Sequence, residues 1–569
     1  MRKVFVSAFF LLLFLSVAPS VSAKEIFVDN KISGNCNGNY SIGSRNCSGS
    51  DGDAYKSPGD GVNNMVSGDT LSIRGGEYTV TQMSLNFSGS QTVIQGYLDE
   101  NPTLYKPEIR RGIFAVGSNS NNLEIRNMTL KSRFYEVVNG WEQYSGNVWR
   151  HERPYHDEPT ELRFNLEWST NSGHPVSSLT EVNSTKEWVW QDGYIYVYSE
   201  GNPDNVYTNP GINIIDDYDA VGISGKGGAE ATVTNVYFSD FAHGGIKGST
   251  KWHVKNSYFD NIGTDSNDHH IYFGAQFDAG NESIIENNYF GATKGYGAHM
   301  YTNPSHYIIR NNIFDCKNTG EGAIVLAGNN ISVYNNTIYN CPRGVFFFRS
   351  GSQNNIVKNN LFYNNTYNIE LDHGEQIPNN NVVSYNYFDD SACRNCNNFT
   401  SSGGANLTGM IDSTNIINSS NPFVVTNPSN WADFRLKSGA AVIDAGIDLG
   451  ASNANALSPS DTSWPPSNLN QANNGSGWEI GAFVYGKSTG QPPDNGGNTT
   501  NTGGSYDLPP SNHKDGDSNE DGNVDGLDYV IWLNHYNIQV QDAYKSGDHN
   551  TDGVVDGLDY VIWLNNYGL

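Results

Sequence analysis

A six-residue motif recurs at a constant interval through the middle of the chain. Ile285-Glu-Asn-Asn-Tyr-Phe290 is followed, each time 24 residues later, by copies that end at Phe314, Ile338 and Phe362, and looser copies occur on both sides. A period of this length, made of short apolar strands with Asn and Gly at the turns, indicates the stacked coils of a solenoid. Asn suits the corner of a coil because it tolerates left-handed backbone and can hydrogen-bond to the copies above and below.

The repeated segment resembles the right-handed parallel β-helix of the pectate-lyase-like superfamily. The resemblance extends from Ile26 to about Tyr485, since Ser67–Tyr78 is similar to the opening coils and Asp433–Gly446 and Trp478–Tyr485 are similar to the closing elements. It implies an all-β fold, with the β-helix over residues 24–486, and polysaccharides as the substrate class. It implies no mechanism, because one fold hosts several chemistries. We find neither the Asp-rich signature of polygalacturonases nor the complete Arg- and Asp-based calcium signature of typical pectate lyases.

The period is interrupted once, over about residues 134–209. This stretch contains five tryptophans, Trp141, Trp149, Trp168, Trp188 and Trp190. Its segment Trp188–Tyr198 alternates in polarity around an Asp-Gly turn, which is typical of a hairpin. We therefore predict a small β insertion that protrudes from one coil, whose tryptophans form either a core of their own or a platform for sugars.

Two loops near the C-terminus share one spacing of oxygen-bearing side chains. Asp517–Asp528 returns 31 residues later as Asp548–Asp559, and both copies continue into Asp-Tyr-Val-Ile-Trp-Leu-Asn. Calcium needs several oxygens that converge on one point, including a backbone carbonyl at the seventh loop position. The predicted ligands are Asp517, Asn519, Asp521, Asn523, Asp525, Asp528, Asp548, Asn550, Asp552, Val554, Asp556 and Asp559.

These loops resemble the paired F-hand loops of the type I dockerin, over residues 515–569. The resemblance implies a small α-helical domain that holds two calcium ions and binds a cohesin module of a scaffoldin. Gly526, Leu527, Gly557 and Leu558 fall at the positions that dockerins use for partner choice. Because the two copies match, the resemblance also implies binding in either of two orientations.

The N-terminus predicts export from the cell. Residues 1–23 combine Met-Arg-Lys, an apolar run and Val-Ser-Ala, the pattern of a signal peptide cleaved after Ala23. No other stretch is long and apolar enough to span a bilayer. We therefore expect a secreted, extracellular protein whose β-helix is joined to the dockerin by a flexible Gly-, Pro-, Asn- and Thr-rich linker at residues 487–514.

Six cysteines agree with an oxidising compartment. Proximity along the chain favours disulfides between Cys36 and Cys47 and between Cys316 and Cys341. Cys393 and Cys396 can close a small ring or bind a metal, and the sequence leaves this open. Glycosylation sequons at Asn86, Asn127 and Asn183 also agree with secretion.

The net charge of −27 argues against nucleic acid as a partner, because phosphate binding needs a basic surface. The charge also weighs against a polyanionic polysaccharide, unless basic residues or calcium reverse the field at the binding site.

Alignment of the coils at their Asn-Asn corners stacks a series of three-residue segments: Gly245–Lys247, His270–Tyr272, His299–Tyr301, Ala323–Val325, Gly344–Phe346 and Asn368–Glu370. The middle residue of each is apolar and is predicted to point inward, so its neighbours should point outward. Adjacent coils lie about 4.8 Å apart. The alignment therefore predicts one exterior patch formed by Lys247, His270, Tyr272, His299 and Tyr301.

This patch is the candidate catalytic site. A polysaccharide lyase needs a base, an acid and a cation that holds the uronate carboxylate. Adjacent His and Tyr can serve as base and acid, while Lys247, Arg349 or a third calcium ion can supply the cation. The candidate substrate-binding residues along the same face are Phe346, Phe348, Arg349, Glu370 and Asp372.

Other interpretations of this face stay open. Glycoside hydrolysis needs two carboxyl groups about 5 or about 6.5–9.5 Å apart, and the candidate pairs are Asp265 with Asp268 and Glu370 with Asp372. The patch can also bind sugar without catalysis, or form a purely structural ladder of rings. The sequence thus predicts a carbohydrate-active β-helix protein in a cohesin-bearing assembly, with a polysaccharide lyase favoured over a glycoside hydrolase and over a non-catalytic binding or scaffold subunit.

Overall fold

The computed structural model divides into two compact units, Met1–Thr489 and Gly490–Leu569. The residues it describes are 23–107, 112–133, 136–153, 159, 161–165, 173–208, 211–215, 220–274, 283–301, 304–372, 380–390, 393–394, 410–485, 516, 518, 524, 526–536, 547, 549, 555 and 557–567. The predicted signal peptide (except Ala23), the linker and Cys396 lie outside these residues.

The first coils are formed by β1 (Glu25–Val28), β2 (Asp53–Tyr55), α1 (Pro58–Asn63), β3 (Thr70–Ile73), β4 (Glu77–Thr79), β5 (Met83–Leu85), β6 (Thr92–Gly96), β7 (Thr103–Tyr105), β8 (Phe114–Val116) and β9 (Leu123–Lys131). Strands of successive coils pair in parallel, as β1 does with β3, β3 with β6 and β6 with β9. A disulfide joins Cys36 to Cys47 beside these coils, as the spacing predicts.

The Trp-rich insertion consists of β10 (Glu136–Val138), β11 (Glu142–Ser145), β12 (Val148–Glu152), β13 (Glu161–Phe164), β14 (His174–Pro175), a 3₁₀ helix (Leu179–Glu181), β15 (Glu187–Gln191), β16 (Tyr194–Tyr198), α2 (Pro203–Val206) and β17 (Ile212–Ile215). β10, β17 and β13 form one small sheet, and the remaining five strands form another. Trp141 and Trp188 are buried between them, so these tryptophans form a core rather than a sugar platform. The predicted end at residue 209 falls short, because β17 pairs with β10 and belongs to the insertion.

The regular coils follow, formed by β18 (Val221–Gly225), β19 (Glu230–Ser239), β20 (Gly244–Gly248), β21 (Lys251–Lys255), β22 (Tyr258–Asp260), β23 (His269–Phe273), β24 (Ser283–Glu286), β25 (Tyr289–Phe290), β26 (Tyr296–Met300), β27 (Tyr307–Arg310), β28 (Ile313–Asp315), β29 (Gly322–Leu326), β30 (Ser332–Tyr334), β31 (Thr337–Tyr339), β32 (Arg343–Phe347), β33 (Ile356–Lys358), β34 (Leu361–Tyr363), β35 (Tyr367–Leu371), β36 (Val382–Ser384), β37 (Tyr387–Phe388), β38 (Cys393–Arg394) and β39 (Ile416–Ile417). A typical coil has three strands, as in β26, β27 and β28. Each strand pairs in parallel with its counterpart in the next coil, so the predicted parallel β-helix is confirmed. A disulfide joins Cys316 to Cys341 in neighbouring coils.

One face of the β-helix is a ten-stranded sheet, in the order β5, β8, β18, β20, β23, β26, β29, β32, β35 and β38. Behind it, rings stack inside the coils at the position of the last motif residue. The centroids of Phe238 and Phe259 are 4.6 Å apart, and those of Phe290 and Phe314 are also 4.6 Å apart. Burial of such rings is a large source of folding free energy.

The two asparagines of the motif have separate roles at the corner. The first is left-handed, with φ of 55° at Asn311 and 51° at Asn335. The second forms a buried ladder, because Asn336 Nδ2 donates to Ile309 O and to Asn360 Oδ1, each at 2.9 Å. The same side chain accepts from the backbone N–H of Asn312 at 3.0 Å. Both properties expected of Asn at the corner are therefore present, on different residues.

The coils end at β39, short of the predicted residue 486. Beyond it, the chain forms 3₁₀ helices at Trp431–Phe434, Ala451–Asn453 and Gln471–Asn473, with β40 (Asn455–Leu457) antiparallel to β41 (Asn468–Asn470). This C-terminal segment, residues 440–485, lies against the Asn corner. Asn335 donates to Glu479 O at 2.9 Å, and Asn359 donates to Ile447 O at 2.8 Å.

The second unit contains α3 (Gly526–His535) and α4 (Gly557–Asn566). Ring centroids of Tyr529 and Trp563, and of Trp532 and Tyr560, are both 5.1 Å apart, so the two copies pack reciprocally. Asp528 and Asp559, the twelfth loop residues, are fully buried. A buried carboxylate needs a cation or donors around it, which fits the predicted ligand role.

The other predicted calcium ligands lie outside the described residues: Asp517, Asn519, Asp521, Asn523, Asp525, Asp548, Asn550, Asp552, Val554 and Asp556. Gly526 and Gly557 begin the two helices, with Leu527 and Leu558 next in the first turn. Among the helices described, none has the length and apolarity needed to cross a membrane.

We expect Asn336→Ala to destabilise the β-helix by about 2–4 kcal/mol, because it leaves several buried backbone and amide groups without partners. The measurement is equilibrium unfolding in guanidinium, followed by circular dichroism. Asn473→Ala, at an exposed position, is the matched control. Equal unfolding midpoints for the two variants would contradict a stabilising ladder.

Candidate functional site

A cleft of about 380 Å³ lies on the outer surface of the ten-stranded sheet. Its lining residues are His243, Lys247, Asn267, His269, Tyr272, His299, Tyr301, Phe348 and Arg349. Strand pairing places Tyr272 between Lys247 and His299, in successive coils. The cleft therefore collects outward side chains from β20, β23 and β26, together with residues of the adjoining turns.

Lys247, His243 and Asp268 form a chain of polar contacts at one end of the cleft. Lys247 Nζ lies 2.7 Å from His243 Nε2, and His243 Nδ1 lies 2.7 Å from Asp268 Oδ1. Asp268 is fully buried, and its Oδ2 accepts from the backbone N–H groups of Thr264 and Asp265. A carboxylate this close to Nδ1 favours a proton on that nitrogen, so His243 Nε2 is the acceptor that faces Lys247.

His269 and His299 form a second chain, and its hydrogen bonds decide where the protons lie. Nδ1 of His269 accepts from the backbone N–H of Tyr296 at 2.9 Å, so the neutral ring carries its proton on Nε2. That nitrogen lies 2.6 Å from Nδ1 of His299. His299 Nδ1 is thus an acceptor, and the proton of His299 lies on Nε2, which has no hydrogen-bond partner among the described residues.

Burial keeps both rings neutral. It lowers the pKa of His299 to about 4 and the pKa of His269 well below its ordinary value. In this state the N–H of His299 lies on a buried nitrogen, while its only basic nitrogen is occupied by His269. The pair is therefore not suited to remove a proton.

Rings and one guanidinium form the other end of the cleft. The Arg349 guanidinium carbon lies 4.9 Å from the ring centroid of Tyr301 and 5.0 Å from that of Phe348. Stacking on two rings leaves the N–H edge of a guanidinium available to an anion. Burial raises the pKa of Tyr272 above its ordinary value, so its phenol stays protonated at neutral pH.

The expectation that His270 belongs to the exterior patch is wrong. Its side chain is fully buried, packs beside Phe259 and Phe290, and has Nε2 3.0 Å from Ala292 O. Burial lowers its pKa to about 3. His270 and Ile271 are both fully buried, so strict alternation of inward and outward side chains fails at the start of β23.

The predicted alignment of the His299 coil is also wrong, by two residues. Ile271 pairs with Ala298, so His299 lies beside Tyr272 and not beside His270. His299 still faces outward, and Tyr301 reaches the cleft from just beyond β26. Lys247 and Tyr272 occupy the outward positions that the alignment gives them.

Three cleft residues, His243, Asn267 and His269, were missed by the sequence reasoning. A signal for His269 does exist: the position of His270 is held by Gly245 and Gly297 in the adjacent coils. A Cβ on Gly245 would lie 2.7 Å from the Phe259 ring, which marks an inward position. Such a row of glycines indicates an inward position next to that of Ile271, so the residue before it is the one that reaches the cleft.

The remaining predicted substrate-binding residues lie beside the cleft. Phe346 packs on Phe348, with centroids 5.2 Å apart. Glu370 is buried, with Oε2 2.6 Å from Arg343 Nε. Asp372 accepts from the backbone N–H of Arg349 at 3.1 Å, so its link to the cleft is through the backbone. Phe348 and Arg349 themselves line the cleft.

No group of three or more His, Cys, Asp or Glu side chains with metal-binding geometry occurs in the part of the chain that the structure describes. A third calcium ion at the β-helix therefore stays a prediction to which these residues give no position.

Two family models match the chain. Residues 246–421 match the right handed beta helix region, and residues 515–567 match the dockerin type I domain. The chain therefore carries a right-handed β-helix followed by a type I dockerin domain, which confirms the β-helix and the dockerin expected from the sequence. No curated protein matches it.

Solved structures with a similar fold include lyases and a polygalacturonase. Pectate lyase Pel9A is 13% identical, with 82% of this chain and 97% of that chain covered and a TM-score of 0.44. An alginate lyase from Paenibacillus sp. str. FPU-7 is 11% identical, with 63% of this chain and 95% of that chain covered and a TM-score of 0.33. The polygalacturonase from Erwinia carotovora ssp. carotovora is 12% identical, with 58% of this chain and 79% of that chain covered and a TM-score of 0.34.

Replacement of His299 by Gln tests the neutral histidine pair. The ring has a pKa of about 6.5 in an unfolded chain and about 4 in the folded one, so the unfolded state binds more protons between these values. The group therefore stabilises the fold above pH about 6.5 and loses this contribution as the pH falls towards 4.

We expect the free energy of unfolding of the native chain, relative to that of His299→Gln, to decrease as the pH falls through this range. Denaturant titrations at a series of pH values measure it, with His174→Gln at an exposed position as the control. The same pH dependence in both variants would contradict a buried, neutral His299.

Proposed function

We propose that the β-helix is a polysaccharide lyase that acts on a uronate-containing chain at this cleft. The observation that carries the proposal is the lining: two cations, Lys247 and Arg349, with histidines and tyrosines but no carboxylate among the described lining residues. Although the protein is strongly acidic, the cleft itself therefore suits an anionic sugar.

β-Elimination makes three demands on such a site. A base removes the proton at C5 of the uronate, the C4–C5 double bond forms as the C4–O bond breaks, and the leaving oxygen takes up a proton. Negative charge accumulates on the carboxylate before the bond breaks, so a cation beside it lowers the barrier. Arg349 is the proposed carboxylate ligand, because its planar guanidinium matches a carboxylate and is held by two rings.

Lys247 is the proposed base. An ammonium group becomes a base only after it loses a proton, and His243 Nε2 is an acceptor 2.7 Å from Lys247 Nζ. Asp268 would stabilise the imidazolium that results, since its Oδ1 lies 2.7 Å from His243 Nδ1. His243 and Asp268 thus act as positioning residues for Lys247.

The proton for the leaving oxygen is proposed to come from Tyr272. Its raised pKa keeps the phenol protonated, and it lies between Lys247 and His299 in the row. His299 keeps its own proton on a buried Nε2 and takes no part as a base. This assignment of Lys247 as the base and Tyr272 as the acid differs from the expectation that a histidine is the base.

Hydrolysis finds less support in this cleft. In each candidate pair one acid is engaged elsewhere: Asp268 holds a loop and His243, and Glu370 pairs with Arg343. A binding subunit without catalysis would not need the chain of contacts from the buried Asp268 through His243 to Lys247. The lyase therefore remains the better supported of the three hypotheses.

The dockerin domain is proposed to attach this enzyme, through two calcium ions and a cohesin module, to an extracellular assembly. Support comes from the match over residues 515–567 and from the buried carboxylates of Asp528 and Asp559. These two residues would complete each calcium site from the first turn of a helix.

We expect the protein to produce unsaturated uronates, detected by ultraviolet absorbance together with reducing ends, from at least one of polygalacturonate, alginate and glucuronoxylan. Lys247→Ala should lower this activity about 10²–10⁴-fold, the usual effect of losing a catalytic base. Lys255→Ala is the matched control, because Lys255 lies on β21, outside the cleft.

His243→Gln should cause a smaller loss and shift the pH profile of the rate, because Lys247 would lose its proton acceptor. Reducing ends without new absorbance would show hydrolysis and overturn the lyase proposal. Full activity in Lys247→Ala would overturn the assignment of the base.

Replacement of both Asp517 and Asp548 by Ala should abolish calcium-dependent folding of the dockerin and its binding to a cohesin, because each loop loses its first ligand. The β-helix should keep its unfolding midpoint. Calorimetric titration with a cohesin, with and without chelator, measures the effect. Undiminished affinity in chelator would contradict the calcium requirement.

A further inference from the structure

A second groove lies at the Asn corner, away from the ten-stranded sheet. Its volume is about 570 Å³, within the usual range for ligand sites of about 300–1,000 Å³. The lining residues are Leu98, Asp99, Asn101, Asn127, Thr129, Asn235, Val236, Tyr237, Asn256, Tyr258 and Trp464. None of them lines the cleft described above.

The left-handed asparagines at the corners of successive coils form a row, and those of the earlier coils line this groove. In the later coils, the same row binds the backbone of the C-terminal segment: Asn311 donates to Asn455 O, and Asn335 donates to Glu479 O. These later asparagines are buried, whereas Asn127, Asn235 and Asn256 of the earlier coils are only half-buried. The row thus changes from a covered surface to an open one along the β-helix.

Aromatic rings form one side and one end of the groove. The centroids of Tyr237 and Tyr258 are 5.1 Å apart, and Tyr237 is 37% exposed. Trp464 lies edge-on to Tyr258 at 5.8 Å and is fixed by a hydrogen bond from its Nε1 to Asn256 O. Rings held by such contacts offer flat apolar faces at little entropic cost.

Amide side chains also line the groove. Those of Asn127, Asn235 and Asn256 are half-buried. An amide donates and accepts hydrogen bonds, as the hydroxyl groups of a sugar do. Amide acceptors beside aromatic faces suit a molecule with both hydroxyl groups and apolar C–H faces.

The charge of the groove selects among such molecules. Among the described residues that line it there is no Lys, Arg or His, and Asp99 is the one that carries a charge. An anionic uronate chain would be repelled here, in contrast to the cleft with Lys247 and Arg349. We propose that this groove, formed by the open Asn row with Tyr237, Tyr258 and Trp464, binds a neutral polysaccharide chain.

The test is calorimetric titration of the full-length protein with cellohexaose, xylohexaose and mannohexaose, and with hexagalacturonate for comparison. We expect at least one neutral hexasaccharide to bind. Tyr237→Ala should weaken that binding at least about fivefold, because a stacked ring is lost. Tyr237→Phe should retain it, since the ring face remains.

Two controls separate this groove from other surfaces. Tyr144→Ala removes another exposed tyrosine, in the insertion, and should not alter binding. Lys247→Ala should leave neutral-sugar binding intact even if it abolishes lyase activity, so the two proposals can fail independently. Lack of binding by all three neutral hexasaccharides, or binding that is unchanged in Tyr237→Ala, would overturn the proposal. A preference of the Tyr237-dependent site for hexagalacturonate would also overturn it.

Discussion

Hydrogen bonds between asparagine side chains in successive coils hold the β-helix in register. Each buried amide of the ladder, such as Asn336, joins the coil before it and the coil after it. A slip of one residue in any coil would break these bonds and turn the neighbouring side chains to the opposite face. The outward positions of Lys247, Tyr272 and His299 follow from the register that this corner sets.

The same corner has a second role beside the ladder. Where the C-terminal segment covers it, left-handed asparagines bind polypeptide backbone, and where the segment stops, they face a groove that ends at Trp464. The β-helix therefore has two concave surfaces of opposite chemical character. Cations and neutral histidines line the cleft on the ten-stranded sheet, while amides and rings line the groove at the corner.

Alignment of the coils predicted a large part of the cleft, because the repeat indicates which residues recur on one face of the β-helix. Lys247, Tyr272, His299 and Tyr301 all reach it, as do Phe348 and Arg349. The expected His270 does not, since two successive residues, His270 and Ile271, are buried there. His243 and Asn267 lie outside the strands, where alternation gives no direction.

The sequence by itself determined the parallel β-helix, the two disulfides and the oxygen spacing of the calcium loops. These features are repeated or local, so neighbouring residues along the chain carry all the information. Only the tertiary structure decided which histidines meet, and that His243 lies in contact with both Asp268 and Lys247. It also decided where the C-terminal segment covers the Asn corner, through contacts such as Asn335 with Glu479, which are 144 residues apart. Such contacts depend on the course of the loops between strands, and no periodic pattern in the sequence predicts that course.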